Sequence, residues 1–279
     1  ASGIFHVILT SGRWFYLNGT NNGTTLTFAP AVPPGDSIPA NAKLYSDSGW
    51  TFAAYLYGSV VAADQVTPNT FYGVNFYAGL MKWTNCGTPV SIANINNSGW
   101  TADGNFNSTL KAVPGEAGHL FFTVGPVGSG GSAQPASSRL WRMCNASSAG
   151  ANGATWQSVP GMYEPVAFGF GAPAPGKNYP TEYVVGWYDT SVNTGGNGSI
   201  NNAQYGIWES TDDPNHGVTS TCDVTAGHQT WTNIGASQNA VNGLPLGWYT
   251  NVNDISGDPF VHGPVYFAGG FGMFYGIFP

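Results

Sequence analysis

The sequence predicts an all-β fold of many short antiparallel strands, and three observations carry that reading. Of 279 residues, 40 are Gly and 19 Pro, while Asp, Glu, Lys and Arg together make only 8%. Long helices draw on Ala, Leu, Glu, Lys and Arg, and the last three are scarce here. No segment sustains a 3.6-residue apolar period, whereas alternating or aromatic and β-branched runs recur between turn residues. Finally, one hairpin pattern repeats along the chain. Helix content is therefore expected to be very low.

Taken in order, the strand-like runs are 4–9, 13–17, 57–63, 71–77, 119–124, 138–143, 163–170, 182–188, 204–209, 247–249, 264–268 and 271–277. Each is closed by Gly, Pro, Asn or Asp. Ten Trp, 14 Tyr and 16 Phe need a core and argue against disorder. Glycine without a three-residue period excludes collagen. Seven Lys and Arg oppose 14 Asp and Glu, a net charge of −7. A nucleic-acid binder needs a basic stripe, so nucleic acid is not an expected partner. No apolar run reaches the roughly 18 residues of a membrane-spanning helix.

The repeated hairpin reads Tyr45-Ser-Asp47-Ser-Gly49-Trp-Thr51-Phe52 in its first copy. Trp83-Thr-Asn85-Cys-Gly87 keeps the frame with Asn for Asp. Met143-Cys-Asn145 is completed after an insertion by Gly153-Ala-Thr155-Trp156. Ser210-Thr-Asp212 is completed by Gly227-His-Gln-Thr230-Trp231. These are Asp-box hairpins, and their chemistry is structural. The short carboxylate or amide accepts turn N–H groups, glycine allows a positive φ, and the aromatic anchors the hairpin by burial. Asp47, Asn85, Asn145 and Asp212 are thus expected to hold the fold, with Phe52, Trp156 and Trp231 in the core.

A second recurrence joins two strands through a turn. Val60 to Asp64 leads through Pro68 to Tyr72; Leu110 to Pro114 leads to Phe122; Val166 to Phe170 leads through Pro175 and Pro180 to Tyr183; Asp254 to Pro259 leads to Phe267. With the hairpin, each unit makes one four-stranded antiparallel sheet, the blade of a β-propeller. The expectation is a single domain over 1–279 with about four blades. Residues 1–44 form a divergent or incomplete first blade, and long insertions lie at 126–137, 146–152, 190–203 and 213–226. Three cysteines, Cys86, Cys144 and Cys222, allow at most one internal disulfide; Cys144 with Cys222 is preferred because both lie in long insertions. They show no zinc-ligand spacing.

From about Lys43 onward the chain resembles the C-terminal part of the family 74 glycoside hydrolases, the xyloglucanases and related β-1,4-glucanases. The carrying motifs are Val60-Val-Ala-Ala-Asp64-Gln-Val-Thr-Pro68-Asn-Thr-Phe-Tyr72, Leu110-Lys-Ala-Val-Pro114-Gly-Glu116-Ala-Gly118-His-Leu120, and Val166-Ala-Phe-Gly169-Phe-Gly171-Ala-Pro-Ala-Pro175-Gly176. The ending adds Gly257-Asp258-Pro259, His262-Gly263-Pro264-Val265-Tyr266 and Gly269-Gly270-Phe271-Gly272. The resemblance implies an inverting hydrolase in which two seven-bladed propellers clamp an open glucan cleft, each giving one catalytic Asp early in its sequence. Both match points lie upstream of Ala1, so no catalytic carboxylate carries over.

The chain's own acids give little to replace them. Glycoside hydrolysis normally needs two carboxylates, about 5 Å apart for retention and roughly 6.5 to 9.5 Å for inversion. Asp64 and Asp258 sit where they would cap turns, and Asp47 and Asp212 belong to hairpins. Asp254 is the one acid worth testing as a catalyst; a turn cap or strand-end hydrogen bond is its alternative role. No Gly-x-Ser-x-Gly elbow is present, the five His show no metal spacing, and the Gly125–Ser132 loop lacks the Lys of a phosphate loop. No cofactor or metal is expected.

The stronger signal is aromatic. Sugar rings lay flat C–H faces on Trp and Tyr, and Asn, Gln and short polar groups meet their hydroxyls. Trp248 and Tyr249 lie in a polar loop at the match point of an aromatic loop facing the family's cleft. Trp187 and Tyr188 end a strand before a Gly/Asn insertion, and Trp100 stands in Asn96-Asn-Ser-Gly-Trp100. An inter-blade core position is the alternative for each. The expected function is a secreted module, part of or derived from such a hydrolase, that binds β-1,4-glucan-type polysaccharide. The alternative is a non-catalytic assembly subunit that oligomerises through exposed blade edges and insertions. Sparse lysine and sequons at Asn18, Asn22, Asn96, Asn107, Asn145 and Asn197 suit an extracellular glycoprotein. A chain opening at Ala1 without Met or signal peptide is either a processed form or a piece of something longer.

Overall fold

Strands account for nearly all regular structure in the computed structural model, which describes residues 2–8, 14–21, 26–29, 37, 45–46, 61–75, 79–85, 87–93, 108–123, 139–213, 222, 229–235, 252–269 and 272–277. Among the described residues there are two short 3-10 helices and no α-helix. The chain divides into two units, Ala1–Ala54 and Tyr55–Pro279.

The first unit holds β1 (Ser2–Ile8), β2 (Trp14–Asn21), β3 (Leu26–Ala29) and β4 (Tyr45–Ser46), in the order β3-β2-β1-β4. All neighbours are antiparallel, with Phe5 opposite Leu17 and His6 opposite both Tyr16 and Tyr45.

The second unit begins with a four-stranded sheet of β5 (Val61–Ala63), β6 (Thr70–Asn75), β7 (Gly79–Thr84) and β8 (Val90–Ala93). A seven-stranded sheet follows: β9 (Thr109–Ala112), β10 (Leu120–Thr123), β11 (Arg139–Met143), β12 (Gln157–Gly171), β13 (Thr181–Tyr188), β14 (Gln204–Ser210) and β15 (Thr232–Asn233). It is two four-stranded halves sharing β12. The first part of β12 pairs with β11 and its later part with β13, with register breaks between Arg139 and Trp141 and between Tyr163 and Ala167. The second break holds Glu164 at φ 43, a left-handed conformation rare outside glycine, directly before Pro165. The last sheet is β16 (Val252–Gly257), β17 (Pro264–Gly269) and β18 (Gly272–Ile277). Every pairing is antiparallel. The second unit is thus a series of four sheets: β5–β8, β9 to early β12, late β12 to β15, and β16–β18.

Three core clusters lie between successive sheets. Tyr72, Val74, Leu80 and Ile92 of the first meet Leu110, Leu120, Phe122, Trp141 and Met143 of the second. The second sheet's other face brings Phe121 and Leu140 against Phe168, Val184, Tyr188 and Trp208 of the third. The third's other face packs Ala167, Val185 and Ile207 on Val252, Ile255 and Val265 of the fourth. Both faces of the two middle sheets are therefore buried, which explains strands such as Leu120–Thr123 that read as continuous apolar runs rather than alternations.

Polar ties at the turns reinforce the first and the last of these interfaces. Asp64 accepts from Val66 N (2.9 Å) and Thr67 N (2.6 Å) through Oδ1, capping its own turn. Through Oδ2 it accepts from Tyr72 Oη (2.7 Å) and from Gly118 N of the next sheet (2.9 Å). Burial raises its pKa, but these hydrogen bonds outweigh burial and leave it lowered. Asp258 caps the equivalent turn of the last sheet, accepting from Phe260 N (2.8 Å) and Val261 N (3.0 Å), while its carbonyl accepts from Ala172 N (2.7 Å) of the third.

Two of the Asp-box residues in view make side-chain hydrogen bonds across their hairpins: Asp212 as an acceptor, and Asn145 as a donor, from Nδ2 to Gly153 O (3.5 Å). Asp212 Oδ2 accepts from Thr230 N (3.0 Å) and Thr230 Oγ1 (2.7 Å), and Trp231 is buried at 1% exposure. Trp156 is buried at 6%. The role expected for glycine needs correcting in the second copy. There Asn85 itself takes the positive φ of 53, and Gly87 is required because a Cβ would stand 2.9 Å from the Thr84 carbonyl oxygen. Asp47, Gly49 and Phe52 lie outside the described residues.

The insertions in view are packed. In 146–152, Ala146 and Ala149 are buried, Asn152 N donates to Ser91 O (3.0 Å), and Lys82 Nζ donates to Ser147 O (2.9 Å) and Ala149 O (2.6 Å) of the same loop. In 190–203, 3-10 helices at Thr190–Thr194 and Ile200–Asn202 are capped by Asp189 and Ser199. A Cys144–Cys222 disulfide, the pairing preferred from sequence, links the turn after β11 to the segment after β14. Cys86 and residues 126–137 lie outside the described residues.

Candidate functional site

In a strand, consecutive side chains point to opposite faces, so Trp187 and Tyr188 cannot share a surface. Tyr188 is wholly buried: its ring lies 5.1 Å from that of Trp208 and 6.2 Å from that of Trp231, and its hydroxyl donates to Asn193 Oδ1 (2.6 Å). Tyr188 therefore cannot serve as the binding-face residue expected from sequence. Asn193 completes the clamp, its Nδ2 donating to Trp231 O (3.0 Å) and its Oδ1 accepting from Trp231 N (3.1 Å).

Trp187 turns the other way and is half-buried. It belongs to a row running across four strands: Arg139 opposite Tyr163, Tyr163 opposite Trp187, and Trp187 opposite Tyr205. The Arg139 guanidinium stands 5.0 Å from the centre of the Tyr163 ring, within cation–π range. Trp187 and Tyr205 meet edge to face with centroids 5.3 Å apart. Tyr163 is buried and fixes the row, while Arg139, Trp187 and Tyr205 keep partial exposure. Cross-strand register thus lines up an aromatic row with a cation at one end. Sequence reading singled out Trp187 but missed Arg139, Tyr163 and Tyr205, because only the register brings them together.

Beside Trp187 lies the polar 3-10 insertion. Asp189 Oδ1 accepts from Ser191 N (2.9 Å) and Oδ2 from Ser199 N (2.6 Å). Burial pushes its pKa up, but hydrogen bonds from Ser191, Ser199 and Asn202 pull it below the usual carboxylate value. The loop bearing Thr194, Gly195 and Asn201 is therefore held in one shape next to the aromatic row. Trp100, Trp248 and Tyr249 lie outside the described residues.

Asp254, the acid singled out as a catalyst candidate, is on β16 with 63% of its side chain exposed. Its Oδ1 receives Lys111 Nζ at 2.6 Å and Ile255 N at 3.0 Å. Lys111 in turn lies 5.6 Å over the Phe168 ring. The pair connects β9 and β16, the first strands of the second and fourth sheets, and Lys111 is the partner sequence reading did not supply.

A second unforeseen cluster sits between the second and third sheets. Arg142 Nη1 donates to Gln229 Oε1, and Gln229 Nε2 donates to Glu182 Oε2, all three side chains being buried. Burial raises the Glu182 carboxyl to about 8, against the lowering effects of Arg142 and Gln229. Such a pKa would suit a general acid, but at 1% exposure Glu182 is closed to any substrate and works as a tie between sheets. Next to it, Tyr179 Oη lies 3.5 Å from His119 Nδ1, and burial lowers the His119 pKa. Among the described residues, no three His, Cys, Asp or Glu side chains group as a metal set, and no helix is long and apolar enough to cross a membrane.

The comparisons bear on this geometry. No family model matches the chain. A curated xyloglucanase from Paenibacillus sp is 28% identical over 226 residues, 80% of this chain and 17% of that enzyme. The solved family 74 glycoside hydrolase of Niastella koreensis superposes with a TM-score of 0.50 at 20% identity, covering 94% of this chain and 35% of that one. The chain resembles part of a family 74 glycoside hydrolase. A family 74 xyloglucanase from Xanthomonas campestris gives a TM-score of 0.36 at 14% identity, over 94% of this chain and 33% of that chain. This xyloglucanase-like chain thus spans about a sixth of the curated relative's length.

Proposed function

We propose that the chain is a carbohydrate-binding β-propeller module of about four blades, part of or derived from an inverting glycoside hydrolase, that holds β-1,4-glucan-type polysaccharide outside the cell. The carrying observation is the Arg139–Tyr163–Trp187–Tyr205 row on a xyloglucanase-like chain. The partly exposed Trp187 ring, fixed by strand register, offers an apolar face to a pyranose, and the neighbouring insertion supplies amide and hydroxyl partners. The Cys144–Cys222 disulfide supports an oxidising, extracellular setting. Trp248 and Tyr249 stand four and three residues ahead of Val252. Both lie outside the described residues, and the proposal includes them on the resemblance alone.

Affinity electrophoresis or calorimetry with xyloglucan tests this reading. Trp187→Ala is expected to weaken binding about tenfold or more, the loss of roughly 1.4 kcal/mol or more, and Trp248→Ala to weaken it similarly, with melting curves confirming that each variant folds. Retention of full affinity by both variants would overturn the site. Release of reducing ends from xyloglucan would show hydrolysis in addition to binding.

A further inference from the structure

Arg139 stands apart from the other described cations. Lys82 donates to two carbonyls, Lys111 to Asp254 and Arg142 to Gln229, and Lys177 lies 3.7 Å from Asp212. Among the described residues, no carboxylate or carbonyl oxygen meets the Arg139 guanidinium. Its charge lies instead against the Tyr163 ring, 5.0 Å from the centre, and a ring offers no oxygen to its five N–H donors. The stretches 124–138 and 236–251, which lead into β11 and β16, contain no Asp or Glu, so neither brings a counter-charge. Asp189, two residues after Trp187, is 2% exposed and turns its carboxylate to the Ser191 and Ser199 N–H groups. A guanidinium stays charged at any ordinary pH. In a chain of 14 Asp and Glu against seven Lys and Arg, this one is left without an acid among the described residues.

We infer that the row takes a β-1,4-glucan whose substituents carry carboxylates, such as uronic-acid branches, with a sugar against Trp187 and a carboxylate paired with Arg139. The inference rests on the glycan-binding reading of the row and narrows its ligand. Arg139 is two strands away from Trp187, roughly 10 Å at the ordinary strand spacing. That distance lets one sugar cover the indole while a substituent on a neighbouring sugar reaches the guanidinium. Tyr163, between them, is buried, and a Cβ added to Gly198 of the insertion would stand 3.3 Å from its hydroxyl. The ring is thus fixed by the insertion and in turn holds the guanidinium, which lowers the ordering cost of binding. The planar fork of an arginine matches a carboxylate with two parallel hydrogen bonds. A neutral glucan offers only hydroxyls and leaves the charge unmet. The net charge of −7 works the other way for the molecule as a whole, since unselective electrostatics repel a polyanion. Preference for an acidic glucan therefore requires a local cation.

Calorimetry of the full chain with carboxymethylcellulose and hydroxyethylcellulose tests it, because the two polymers share the β-1,4-glucan backbone and differ in charge. Carboxymethylcellulose is expected to bind at least about fivefold more tightly at low salt, with the ratio shrinking as sodium chloride is added. Arg139→Gln should bring the ratio to one or below. Arg139→Lys, which keeps the charge but loses the fork, should retain part of it, and melting curves would check that both variants fold. Equal affinity of the unaltered chain for the two polymers, or a preference that survives Arg139→Gln, would overturn the inference. Trp187→Ala separates this outcome from the reading beneath it. Binding of both polymers that needs Trp187 but shows no preference leaves glycan binding standing and removes only the carboxylate site. A preference that needs Arg139 but ignores Trp187→Ala keeps the carboxylate site and removes the aromatic one. Failure of both polymers to bind overturns both.

Discussion

Glu182 carries a proton that an ordinary glutamate gives up well below neutral pH, because ionising it would place a charge between two packed sheets. Its folded pKa, about 8, lies above the ordinary 4.5. The stability it contributes is therefore complete below 4.5 and drains away as pH rises through about 8. His119 has the opposite sign: its pKa is held below the ordinary 6.5, so its contribution is complete above that value and is lost as pH falls. Of these two groups, only Glu182 still changes protonation on the alkaline side. The melting temperature should fall by several degrees between about pH 6.5 and 8.5. Glu182→Gln keeps an acceptor for Gln229 but cannot ionise, so it should flatten that alkaline limb. A variant melting with the wild-type slope would show that another group sets it.

At the scale of elements, close approach between sheets makes two glycines a clean comparison. A Cβ on Gly169 would lie 1.9 Å from the Ile255 carbonyl oxygen, whereas one on Gly150 meets nothing within 4 Å. Gly169→Ala must push late β12 away from β16 and should cost about 3 kcal/mol or more. Gly150→Ala should be neutral within about 0.5 kcal/mol. Urea midpoints of the two variants check this, and equal midpoints would mean the sheets yield easily. Reducing the disulfide, which closes a separation of 78 residues, should lower stability by about 4 kcal/mol in the chain-entropy account, read as a drop in melting temperature on adding reductant. The same scale explains what the sequence could and could not reveal. The runs at 119–124, 182–188 and 204–209 emerge as β10, β13 and β14 because their apolar content is dense. β7 escaped because Met81, Lys82 and Trp83 are only half-buried and its end merges with the Asn85 turn. β15 is two residues long, too short for any period to register. In the candidate site, Trp187 was visible as an aromatic at a strand end. That Tyr188 points into the core follows only once strand alternation is applied to a real sheet, and Arg139 and Tyr205 are joined to Trp187 by register alone.

For the second unit as a whole, stability should be graded along the series of sheets. β10, β11, β13 and β14 lie in sheets covered on both faces, and their amides can open only if two apolar clusters separate. Among the described residues, β5 and β18 belong to sheets covered on one face and sit at sheet edges. Such arrays behave as nearest-neighbour systems, in which terminal members fray before interior ones. Hydrogen exchange should therefore proceed first in peptides covering β5 and β18, and last in those covering β10 and β13. Uniform protection across all four sheets would mean that the unit opens only as one block.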